Sequence, residues 1–340
     1  MSAQTLDNRT FATPTMQPNI HFNDISLLRV SAMLMVVFYH CLCPYSIWDG
    51  TDYFIGFHVP AWDVVDGMLA QIHLPIFFLI SGFLFGYKRI RGGYSDNSKF
   101  INNKVMRVLL PYVIVGSFLC FLQDRDMGQM LDGISHLWFL LTIFECYVLG
   151  KALSVVISMK KLHRQMMIVV LILFIILVPY RLPEVRFLCL SRLVAYFPYY
   201  MTGMLICNMD FGALAKYKNL LLLIGVLLVV LFAVQQVYFN KRPITMFGGV
   251  IIVALTFTYA RLLNIPKLPS WVVSLDKCSM GIYIVHHIVI QEMNGVVLFH
   301  GYACEYYYLY PLLQFVVVTI LSWLFVAICR RCKYSKYILG

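Results

Sequence analysis

Two residues in the stretch "DISLLRVSAMLMVVFYH" stand out by type and spacing: Arg29 and His40, separated by ten mostly apolar positions. On a helix, eleven steps of about 100° come to roughly 1100°, about 20° past three full turns, so the two side chains share a face about 16.5 Å apart. One end offers a fixed cation to an anion and the other a titratable ring to a reacting group. That geometry suits a long ligand with its charge at one end and its chemistry at the other. Coenzyme A, with phosphates at one end and a thioester at the other, has this form. The plainer reading is an arginine anchoring a helix at a membrane face and a histidine held by one packing hydrogen bond.

Further polar residues lie in apolar surroundings. His73 opens "HLPIFFLISGFLFGYKR", and His136 opens "HLWFLLTIFECYVL". Glu145 follows nine residues after His136, about 13.5 Å along a helix. "MGIYIVHHIVIQEM" carries His286, His287 and Glu292. Ionisable groups at membrane depth face a protein interior or a water-filled cavity and mark functional sites. Pro75 and the Ser81-Gly82 pair loosen the second segment, which points to close backbone approach or a cavity wall.

These residues need a membrane scaffold to position them. The chain has 340 residues, 61% of them hydrophobic and 13% charged, roughly half the ~25% charged residues of a soluble domain. The expected fold class is all-α: a polytopic membrane protein of about ten transmembrane helices, each near the ~20 residues that cross ~30 Å of hydrocarbon. The segments run near 25–44, 67–87, 105–122, 134–151, 164–180, 187–207, 219–238, 244–262, 279–299 and 309–329. With the N-terminus in the cytoplasm, 21 lysines and arginines fall on the cytoplasmic side. Six fall outside: Arg125, Arg181, Arg186, Arg192, Lys241 and Arg242. This bias predicts N-in and C-in. The 45–66 loop has no lysine or arginine and carries Asp49, Asp52, Asp63 and Asp66, so it is expected outside.

Other classes are disfavoured. The net charge of +11 is the positive-inside bias of a membrane protein, and no basic-aromatic blocks suited to nucleic acid occur. The ten cysteines are scattered and read as small hydrophobes. "CRRC" at 329–332 reads as a helix end, with acylation of a thiol as the rival. No HExxH motif, P-loop or dinucleotide fingerprint is present, and His286-His287 are adjacent rather than i, i+4, so no metal is expected. Residues 1–23 lack the pattern of a cleaved signal peptide, so the first apolar segment is expected to stay as an anchor.

The same segments resemble the acyltransferase-3 family of integral membrane acyltransferases. Arg29-x10-His40 is similar to that family's first-helix motif and "HLPIFFLISGFLFGYK" to its second-helix signature. "KVMRVLLPY" resembles its following cytoplasmic motif, with Lys104 in place of the first of two arginines and Arg107 as the second. "HLWFLLTIFECY", "YFPYYMTGMLI" and "CSMGIYIVHHIVI" resemble later blocks. The resemblance implies three parts: a polar cytoplasmic segment (1–24), a transmembrane acyltransferase domain (25–329) and a basic cytoplasmic tail (330–340). It also implies transfer of an acyl group, commonly acetyl, from acyl-CoA in the cytoplasm to a hydroxyl of a surface carbohydrate or lipid-linked glycan outside. A bacterial inner-membrane location follows, and membrane lipid is the surrounding partner. Some relatives carry an extra periplasmic hydrolase-like domain; none is expected within these 340 residues.

Under that resemblance, Arg29, Lys104 and Arg107 would hold the donor's phosphates. His40 would act as general base or as a covalent acyl relay, and Glu145 would orient it or stabilise its cationic form. His286, expected about 9 Å deep, would touch the pantetheine arm or the thioester oxygen, or serve only as a structural hydrogen-bonder. His73, His136 and Asp66 would bind the acceptor. Trp48, Tyr53, Trp62 and Trp138 would stack on sugars or form an interfacial belt. The rival classes are a transporter that couples protons or a solute through the buried histidines and carboxylates, and a non-catalytic subunit of a glycan-assembly complex.

Overall fold

A computed structural model describes residues 22–46, 54–156, 185–239 and 246–339, with 168, 171 and 172 besides. Every regular element among them is helical. In chain order these are α1 (Asn23–Leu42), α2 (Pro60–Ala70), α3 (His73–Ile90), α4 (Asn97–Lys104), α5 (Leu110–Leu122), α6 (Trp138–Val156) and α7 (Leu190–Ile206). They continue with α8 (Phe211–Leu214), α9 (Lys218–Phe239), α10 (Met246–Leu262), α11 (Ser270–Gly295), α12 (Val297–Glu305) and α13 (Tyr310–Cys329). Seven stretches of the described residues are long and apolar enough to cross a membrane. Two further expected spans, α7 and α10, are 17 residues each. The expected span at 164–180, apart from 168, 171 and 172, falls outside the described residues, as do the first 21 residues, Trp48 and Tyr53.

Three helices differ from the sequence expectation, each for a local reason. The segment expected at 67–87 is two helices, α2 and α3, broken at Gln71–Ile72. Pro75 has no N–H for the carbonyl of Gln71, so one unbroken helix would lack that bond. The 45–66 loop therefore contains the start of α2, with Pro60 in its first turn. The segment expected at 105–122 starts at Asn97, capped by Asp96, whose side chain accepts from the Lys99 amide at 3.0 Å. It then passes through a π turn, Val105–Leu109, into α5. Pro111 cannot bond to Arg107, four residues back, and its ring displaces that carbonyl, which the wider π turn accommodates. Finally, α11 begins at Ser270 rather than 279.

α3 and α7 cross so closely that a methyl group on Gly82 would strike the backbone of Tyr200, and one on Gly203 the carbonyl of Leu79. Small residues at such crossings let backbones meet in lipid, where no hydrophobic force drives helices together. The close approach expected at Ser81-Gly82 is thus present. Around the crossing Phe78, Phe83, Phe85, Phe197 and Tyr200 are fully buried. The opposite condition holds on α9 and α13. Leu220, Leu223, Leu227 and Leu231, then Leu313, Val317, Leu321 and Leu324, form exposed apolar rows at helical spacing, the surface that hydrocarbon covers.

The pairing of α1 with α11 positions the site. Arg29 meets Asp276 near one end, and His40 meets His286 and His287 further along. Both separations run forward in sequence, so the two helices are parallel. Arg29 and His40 are eleven residues apart, and so are Asp276 and His287. The same three-turn repeat is therefore written on both helices, in register.

Candidate active site

Four imidazoles converge from three elements. His40 comes from α1, His136 from a short 3-10 turn (Ser135–Leu137) ahead of α6, and His286 and His287 from α11. Ring centroids of His40 lie 4.9 Å from His286, 5.0 Å from His287 and 6.4 Å from His136. His136 and His287 stack at 4.5 Å. His73 joins through Tyr39, whose ring stacks on it at 4.6 Å. His73, His136, His286 and His287 are all buried, His286 completely. His40 alone of the five is only half-buried.

The hydrogen bonds assign the ring protons. A neutral imidazole carries one N–H, and a carbonyl can only accept it. His286 Nδ1 lies 3.0 Å from the Ile282 carbonyl, so Nδ1 is the donor and the lone pair is on Nε2. That nitrogen lies 3.1 Å from His40 Nδ1, which also lies 2.9 Å from the Val36 carbonyl. Two acceptors therefore flank His40 Nδ1, the proton belongs there, and the lone pair of His40 sits on Nε2. By the same logic His136 donates from Nε2 to Ile284 at 3.0 Å, and His73 donates from Nδ1 to Leu69. The Tyr283 hydroxyl donates to the carbonyl of His136 and ties that turn to α11. Among the described residues no three His, Cys, Asp or Glu are placed to hold a metal ion.

At the other end of the α1–α11 pair, Arg29 grips Asp276 at two points. Nε lies 2.6 Å from Oδ1, and Nη2 donates to Oδ2 at 3.1 Å. The Asp276 side chain is 6% exposed and that of Arg29 34%, so the fork is held in place while part of the guanidinium stays open. A second pair, Arg261 to Asp24 at 2.5 Å, pins the start of α1 to the end of α10.

Lys104 closes the same end. Its ammonium sits 3.4 Å over the ring of Tyr147, a cation–π contact. Tyr147 also bonds to Ser81 and feels the charge of Arg29. Arg107 is exposed on the π turn and acts electrostatically on Tyr94 and Lys88. In the loop after α3, burial pushes the Tyr94 phenol up to about 12, with Arg107 pulling the other way. Lys151 donates to the Tyr94 carbonyl at 2.5 Å.

The structure brings some of the expected site residues together and separates others. Arg29, Lys104 and Arg107 share one end; His40, His136 and His286 share the cluster, with His73 beside it. His286 is corrected in its position along the helix. With α11 starting at Ser270, it lies sixteen residues in, about 24 Å rather than 9 Å along the helix. Its one N–H is given to Ile282 and its Nε2 faces His40, so no N–H remains for a thioester oxygen. Glu145 is not a partner of His40 Nδ1. Its Oε2 is buried on α6 without a hydrogen bond, on the side of Tyr112 and Cys189, with which it interacts electrostatically. Asp66 is buried on α2 beside Cys43. Trp138 is stacked at 4.2 Å by Arg192, and Trp62 donates to the Tyr307 carbonyl at 2.8 Å. Sequence reasoning missed Asp276. The signal available for it was the Asp276-x10-His287 spacing, a copy of Arg29-x10-His40.

A multi-pass helical membrane protein, with a group of cationic side chains at one end of a helix pair and an imidazole cluster at the other, is the class that fold and site define. The sequence matches the profile of the Acyl_transf_3 acyltransferase domain over residues 22–331, essentially the whole chain. The protein belongs to the acyltransferase-3 family and is a membrane acyltransferase. No curated protein and no solved structure matches the chain.

Proposed function

We propose that the protein takes an acetyl group from acetyl-CoA on the cytoplasmic side and delivers it to a hydroxyl of an extracytoplasmic carbohydrate. The observation that carries this reading is the state of His40. It is the one incompletely buried imidazole of the cluster, and its hydrogen bonds leave the lone pair on Nε2. An imidazole with a bare nitrogen and some exposure of the residue is what removal of a hydroxyl proton requires. The same lone pair serves if His40 first accepts the acyl group itself.

The donor's phosphates bind Arg29, Lys104 and Arg107, which gather at one end of the α1–α11 pair. This places the thioester about 16.5 Å further along, at His40. The lysine and arginine bias fits an N-in, C-in chain of ten crossings in a bacterial inner membrane, with the cationic end in the cytoplasm. His73, His136 and Asp66, at the His40 end, then border the acceptor. In the base reading, His40 Nε2 takes the hydroxyl proton as the new C–O bond forms. The C–S bond breaks, and the proton passes to the departing thiolate.

The test is surface-glycan acylation in a deletion strain complemented with His40→Ala or Arg29→Ala at matched protein levels. The expected result is loss of the acyl mass increment with His40→Ala and strong reduction with Arg29→Ala. Normal acylation with both variants overturns the proposal. A transporter would give no acylated product with the wild type.

A further inference from the structure

The carboxylate expected behind His40 is not there; a second histidine is. We propose that His286 is the positioning residue for His40. It holds the imidazole with Nε2 outward and shares the positive charge that forms when Nε2 takes a proton or an acyl group. The inference rests on His40 being the residue that performs the transfer.

Three observations carry it. First, the direction of the bond is fixed: His286 gives its only N–H to Ile282 at 3.0 Å, so its Nε2 can only accept, and it accepts from His40 Nδ1 at 3.1 Å. Second, His286 is completely buried and anchored in the middle of a 26-residue helix, so its lone pair is held in one place without a solvent shell. Third, Val36 is the other acceptor on the same N–H, but it belongs to the helix of His40 itself and cannot fix α1 against α11. The cross-helix contact is the one that ties the position of the base to the rest of the site.

Charge accounting follows directly. When His40 Nε2 gains a proton from a hydroxyl, or an acyl carbon as thiolate leaves, the ring becomes cationic and its Nδ1–H a stronger donor. The Nδ1 proton stays between His40 and His286, and no further acid or base is consumed. A hydrogen bond to a charged group contributes more than one between neutral groups, so its loss is felt in the reaction step and not in binding.

Two substitutions separate this role from packing. The terminal amide of glutamine reaches the place of His286 Nε2 and keeps an acceptor toward His40. That of asparagine reaches only the place of Nδ1, keeping the bond to Ile282 and losing the one to His40. The assay is initial-rate transfer of radiolabelled acetyl from acetyl-CoA into glycan, in inverted membrane vesicles that contain the native acceptor. His286→Gln is expected to stay within about threefold of wild type, and His286→Asn to lose about 10- to 100-fold in kcat with the KM for acetyl-CoA unchanged. Equal losses in the two variants, or a raised KM with intact kcat in His286→Asn, overturn the proposal.

Nitrogen-15 NMR of histidine-labelled wild-type protein in lipid nanodiscs gives a readout independent of both variants. With the His40 signals assigned by difference against His40→Ala, a protonated Nδ1 and a bare Nε2 are expected, and the reverse assignment overturns the proposal. If His40→Ala itself acylates normally, the parent reading fails. If it is inactive while Gln and Asn at 286 behave alike, only the role of His286 fails.

Discussion

Removing Asp276 tests the frame that aligns the two ends of the site. In Asp276→Asn the Arg29 fork faces an amide, which cannot balance its charge. Breaking a fully buried pair by deleting one partner costs about 3–5 kcal/mol, and an exposed pair is worth about 0–1 kcal/mol. With 6% of the Asp276 side chain and 34% of the Arg29 side chain exposed, the expected cost lies between, about 2 kcal/mol. At roughly 2 °C per kcal/mol for a chain of this size, the melting point falls by roughly 4 °C. The measurement is the fraction of monodisperse protein surviving a heat ramp in detergent, read by size-exclusion chromatography. Arg29→Met with Asp276→Leu replaces the pair by apolar groups and is expected to restore most of that loss. On the proposed donor-binding role of Arg29, the same double variant is expected to show strongly reduced acylation. An Asp276→Asn protein as stable as wild type, or a double variant less stable than the single one, refutes the reasoning.

Other perturbations probe the helices and the proposed donor end. Gly203→Val forces a branched side chain into the Leu79 carbonyl and is expected to lower thermal survival by at least about 2 kcal/mol in the same assay, whereas Gly225→Val, where a methyl group meets nothing within 4 Å, is expected to be near neutral. Asn294→Leu leaves its 2.7 Å partner Gln314 unsatisfied inside the protein and is expected to cost about 1–3 kcal/mol, most of it recovered by adding Gln314→Leu. Pro111→Ala removes the cause of the π turn; relaxation to regular helix turns Arg107 by about 100°, and the KM for acetyl-CoA is expected to rise with kcat little changed. Lys104→Arg keeps the cation over Tyr147 and is expected to retain donor affinity, while Arg107→Ala is expected to lose several-fold in KM.

The helical membrane class, the family and the shared face of Arg29 and His40 were legible in the sequence, because each depends on local quantities: hydropathy over a span, ordered motifs and the 3.6-residue period. The break at Gln71–Ile72 and the π turn had local causes too, in Pro75 and Pro111, but a hydropathy window does not register a missing donor. The start of α11 was misjudged because Asp276 and Lys277 read as the polar end of a span. The aspartate is tolerated there because a guanidinium 247 positions earlier neutralises it, and no window contains both. That error placed His286 about 9 Å rather than about 24 Å from the start of its helix and hid its contact with His40. Which nitrogen of His40 is free was likewise set by tertiary structure alone, since it depends on the parallel register of two helices far apart in the chain. Local sequence chose the chemistry of the side chains; the partner each one meets was decided only when α1 and α11 packed.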